Sequence, residues 1–83
     1  MKATKRCSTQ NGKLLALLAG LHSRPDYQSI AAFANGIMSL AAFRSQSGQE
    51  DSAKFLQARL TRALKKLSQD AVPLPEAMKE LAL

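Results

Sequence analysis

The 83-residue chain is poor in the side chains on which most site chemistry depends: it has one cysteine, one histidine, one tyrosine and no tryptophan. A lone Cys7 cannot close an intramolecular disulfide, so the fold must rest on apolar packing, which suits a reducing cytoplasm. One Cys, His22 and six acids with no cluster among them offer no zinc or calcium ligand set, and neither a metal nor another cofactor is expected. Nucleophilic catalysis needs a nucleophile, a base and an orienting group in mutual reach. Cys7 falls in an N-terminal tail and His22 at a helix end, where a cation suits the dipole. Glu50 and Asp51 are explained by helix capping, and Gly12, Gly20, Gly36 and Gly48 are isolated, so no glycine-rich phosphate loop exists. These absences point to a non-catalytic protein with no small-molecule substrate.

Long apolar runs are missing as well. The longest, residues 30–43, is interrupted by Asn35, Gly36 and Ser39 and falls short of the roughly 20 residues a membrane span requires. The opening MKATKRCSTQNGKLLALLAGLHS imitates a secretory signal, but its basic region is long and its apolar run short, so it is read as retained rather than cleaved. A chain of this size forms one domain at most and buries only about 60% of its unfolded surface. The division expected is a flexible basic tail over residues 1–8 and a single helical-bundle domain over residues 9–83.

What is present is helical periodicity. Leu14, Leu17, Leu18 and Leu21 recur at i, i+3, i+4 and i+7, which predicts a first helix starting near residues 9–11. Ser23 or Arg24 is read as the cap of a second helix with Pro25 in its first turn. That helix, DYQSIAAFANGIMSLAAFRSQS, confines Gln28, Ala32, Asn35, Ser39, Ala42 and Gln46 to one narrow stripe. Tyr27, Ile30, Phe33, Ile37, Met38, Leu40 and Phe43 cover most of the rest, so it is predicted to lie centrally. The period runs unshifted through Asn35-Gly36, which favours one continuous helix over a turn. Ser47-Gly48-Gln49-Glu50 matches a capping box and predicts the start of a third helix. Ala53, Leu56, Leu60, Ala63, Leu64 and Leu67 make its inner face, with Phe55 alongside, and it should end near Gln69 or Asp70. The fold class expected is all-α, a small antiparallel four-helix bundle with a short C-terminal helix.

The net charge of +6 is unevenly placed. Lys2, Lys5, Arg6 and Lys13 crowd the start, while Arg59, Arg62 and Lys66 form a stripe on the third helix at i, i+3 and i+7, flanked by Lys65. Such a balance favours anionic surfaces, whether membrane headgroups or nucleic acid. A nucleic-acid-binding or transcription-regulating role is one reading of the stripe, although the chain has little aromatic surface for stacking. An adaptor or secretion-chaperone bundle that buries an apolar edge against a partner helix is another.

In LSQDAVPLPEAMKEL the two prolines bias Val72 and Leu74 toward extended backbone. Residues 70–74 read as a short connector, stiff from Val72 to Pro75. Pro75 fits the first position of a fourth helix, whose edge of Leu74, Met78 and Leu81 should return to the bundle.

The order KLLALLAGL, a central apolar helix, ARLTRALKKLSQ and VPLPEAMKEL resembles the immunity proteins against pediocin-like (class IIa) bacteriocins, the enterocin A immunity family, over roughly residues 13–83. The resemblance implies a cytoplasmic four-helix bundle, peripheral at the inner membrane face. Such a protein would act on the membrane sugar-transporter receptor with its bound bacteriocin, anionic lipid adding attraction. It further implies that the C-terminal half sets specificity. Carried onto this chain, the partner-binding residues would be Arg59, Arg62, Lys65 and Lys66 on the third helix and Pro75, Met78, Lys79 and Leu81 in the last.

Overall fold

The computed structural model describes residues 12–81. The basic tail, Cys7 and the proposed helix start near residues 9–11 lie outside the described residues. Within them the chain is all-helical, with four helices. Helix α1 runs through residues 12–19, α2 spans Tyr27–Gln46, and α3 spans Glu50–Lys65. A widened π turn, Lys66–Asp70, continues α3. The short α4, Leu74–Met78, then leads into a 3₁₀ turn at Lys79–Leu81.

The inner face read for the third helix is the core of the molecule. Ala53, Leu56, Leu60, Ala63, Leu64 and Leu67 are all buried. Leu60, Ala63, Leu64 and Leu67 meet Leu14, Leu18 and Leu21 from α1 and its following turn, Ile30 and Ala34 from α2, and Ala77 from α4. A smaller cluster of Ala41, Ala53 and Leu56 closes the α2–α3 end, with Ile37, Leu40 and Leu81 packed on it. Helix α3, rather than α2, is therefore the central element, which corrects the expectation for the second helix. Only Ile30, Ala34 and Ala41 of α2 are fully buried, and Phe43 is 65% exposed. Apolar residues around a helix promise several neighbours, but alanines and flank positions supply much of that coverage here. The polar stripe of α2 is exposed as expected, and the helix runs unbroken through Asn35 and Gly36.

Two of the caps differ from the sequence reading. The N-cap of α2 is Asp26, with Pro25 just before the helix. The Asp26 carboxylate makes no cap bond because it is held by Arg24. Between α2 and α3 the Ser47-Glu50 capping box does not form. Instead Gly48, at φ 82, terminates α2. Its N–H donates to Ser45 O at 3.2 Å and the Gln49 N–H to Arg44 O at 2.8 Å, the paired bonds of a Schellman stop. Ser47 Oγ donates back to Phe43 O, and the Glu50 carboxylate accepts from Ser45 Oγ. Glycine after a helical run is a stop signal as strong as Ser-x-x-Glu is a start signal. At this corner the stop prevails.

Candidate binding surface on the third helix and the C-terminal arm

At helical spacing Phe55, Arg59, Arg62 and Lys66 fall at i, i+4, i+7 and i+11, a single line beside the inner face of α3. The Arg59 guanidinium carbon lies 5.0 Å from the Phe55 ring centroid, over the ring and close enough for a cation–π contact that keeps the ring face and the charge at one place. Phe55 is 44% exposed and Arg62 is exposed. At the end of the line Lys66 Nζ stands 3.0 Å from Glu80 Oε2. The Glu80 carboxyl is held below the usual carboxylate range, first by the hydrogen bond from Lys66, which outweighs the opposing effect of desolvation, and then by the charges of Lys66, Arg62 and Arg59. The same bond raises the Lys66 ammonium above its ordinary value. Glu80 thus faces the basic stripe and ties the 3₁₀ turn to it.

The arm formed by residues 72–81 is seated by apolar contacts beneath that ion pair. Pro73 caps α4 in extended backbone, Leu74 is the first helical residue and Pro75 the second, so α4 begins one position earlier than its proline suggested. Ala77 is fully buried, while Val72, Leu74 and Leu81 are partly buried against the core. Met78 is 44% exposed and does not join that edge, which corrects the predicted Leu74, Met78, Leu81 face. A five-residue helix that tightens into a 3₁₀ turn directs Leu74, Ala77 and Leu81 inward. Reading Ala77 as a core residue would have required weighing a small side chain above a large one.

The predicted partner-binding residues separate into three places. Arg59, Arg62, Lys66 and Leu81 belong to the α3–arm face. Met78, Pro75 and Lys79 lie on the outer side of the same arm, with Lys79 Nζ 3.5 Å from Glu76 Oε1. Lys65 points elsewhere: with Thr61 it lines a groove against Lys13, Ala16 and Leu17 of α1, on the opposite flank of α3. The sequence reading missed Glu80, although two acids against one lysine in residues 71–83 of a basic chain were a usable signal. It also missed the role of Arg24, whose guanidinium reaches Leu67 O and Val72 O in the far corner; no local pattern announces a contact so distant in sequence. His22, exposed beyond α1, packs edge-on to Tyr27 at 5.0 Å. Among the described residues no group of three or more His, Cys, Asp or Glu gathers as a metal site, and no helix is long and apolar enough to cross a membrane.

Comparison of the chain with protein-family models, with curated proteins and with solved structures returned no match.

Proposed function

We propose that the protein is a non-catalytic binding protein of the immunity type: an antiparallel four-helix bundle in the cytoplasm that protects its producer from a pediocin-like bacteriocin. It does so by engaging the bacteriocin-bound sugar-transporter receptor at the inner membrane face. The observation that supports this reading is the tie between Lys66 and Glu80. Through it the basic flank of α3 and the C-terminal arm, the two regions that the resemblance marks for partner binding, become one surface. Phe55 and the arginine stems offer apolar area, and Arg59 and Arg62 offer charge toward a receptor flanked by anionic headgroups. The nucleic-acid reading is the weaker one, because one tyrosine and no tryptophan leave little aromatic surface on which bases could stack.

Expression of the chain in a bacterium sensitive to pediocin-like peptides tests the proposal. Growth should continue in the presence of at least one member of a panel of such peptides and stop for the empty vector. Equal inhibition by every peptide, with the protein demonstrably present and folded in the cells, would refute it.

A further inference from the structure

We propose that Arg24 is the positioning residue of this surface: from the corner between α1 and α2 it fixes the C-terminal arm against α3. Its Nε and Nη2 donate to the two oxygens of Asp26 at 2.9 and 3.0 Å, so the planar fork is oriented from behind. Nη1 then donates forward to Leu67 O at 3.1 Å and to Val72 O at 3.0 Å. These carbonyls belong to the π turn that ends the third helix and to the first residue of the arm. The last carbonyls of a helix have no partner in their own chain segment, and Pro73, next along, carries no N–H. Between the two acceptors Ala71 adopts a left-handed φ of 54°, which turns the chain so that both carbonyls converge on one nitrogen. A cation at a helix C-terminus is further favoured by the dipole. The clamp is partly shielded from water, with 22% of the Arg24 side chain exposed. A lysine could not reproduce it, because one ammonium cannot hold a carboxylate edge-on and two carbonyls with a fixed fork.

The direction in which the arm leaves α3 is therefore set by a residue more than forty positions upstream. At the far end of the arm, Glu80 meets Lys66. With Arg24 absent the arm keeps that ion pair and its apolar seat but loses the fixed corner from which it starts. The functional half of this inference rests on the reading under Proposed function. The structural half does not.

The test uses the full chain and three variants, Arg24→Gln, Arg24→Lys and Asp26→Asn. Hydrogen exchange is followed by mass spectrometry, and protection is measured against whichever peptide the parent resists. Amides of residues 74–81 should exchange about ten-fold faster or more in Arg24→Gln, while the middle turns of α2 and α3 stay within about two-fold of the parent. Arg24→Lys and Asp26→Asn should give intermediate effects, and protection should fall in the same order as the arm loosens. Unchanged exchange in the arm would overturn the inference. So would equal acceleration in all helices, which would make Arg24 a general stability residue, or a loosened arm with full protection. If the parent protects against nothing, the immunity reading fails, and the exchange pattern alone decides whether Arg24 positions the arm.

Discussion

Glu80 is the residue that changes how the basic stripe must be regarded. Read along the chain, Arg59, Arg62 and Lys66 are a row of cations. In the fold the third of them is bonded to a carboxylate that also lies in the field of the other two. Because the folded state lowers the Glu80 pKa, its contribution is present above the unfolded carboxylate value and is lost as pH falls through the folded one. Because the folded state raises the Lys66 pKa, that contribution is present below the unfolded lysine value and is lost as pH rises through the folded one. The pair therefore holds the 3₁₀ turn through the neutral range and releases it at both ends. A titration of the Leu81 methyl resonance should show an acid step on the low side of the ordinary glutamate range, and Glu80→Gln should remove it. An acid step of equal size in the variant would contradict the assignment.

At the scale of elements, the two glycines of α2 and the α2–α3 corner have opposite duties. Gly36 sits mid-helix and exposed, and a Cβ there would meet nothing within 4 Å. Gly36→Ala should therefore stabilise the protein by about 0.5–1 kcal/mol. Gly48 has equally open surroundings but a φ of +82°, so Gly48→Ala should cost about 1–2 kcal/mol through backbone strain alone. Thermal unfolding of the two variants should move the midpoint in opposite directions, and a stabilising Gly48→Ala would refute the Schellman assignment. These corners also mark where the sequence was legible. Period alone revealed α1, α2, α3 and every buried residue of α3, because one face of a helix repeats visibly. It did not reveal which helix lies centrally, since that depends on how flanks are shared between neighbours. Nor did it reveal the stop at Gly48, since the same residues read forward as a cap. Of the candidate surface, the stripe was readable as a helical repeat. The partition of Lys65 to the α1 groove followed only from the packing of α1.

As a whole molecule this is a small core built around one helix, with two different flanks. On one side Lys13 and Lys65 border a groove floored by Ala16 and Leu17. On the other, Arg59 and Arg62 stand beside Phe55 and the docked arm. A general electrostatic attraction to anionic surfaces would draw on both flanks alike, since exposed charges act over a Debye length of about 8–10 Å wherever they stand. A specific binding surface would draw on one. The direct measurement is bacteriocin protection by two charge-reversal variants whose helical circular dichroism matches the parent. Arg59→Glu with Arg62→Glu should abolish protection, and Lys13→Glu with Lys65→Glu should leave it within about two-fold of the parent, as expected for substitutions away from the interface. Full protection by the Arg59, Arg62 variant, or equal loss from both, would contradict the account.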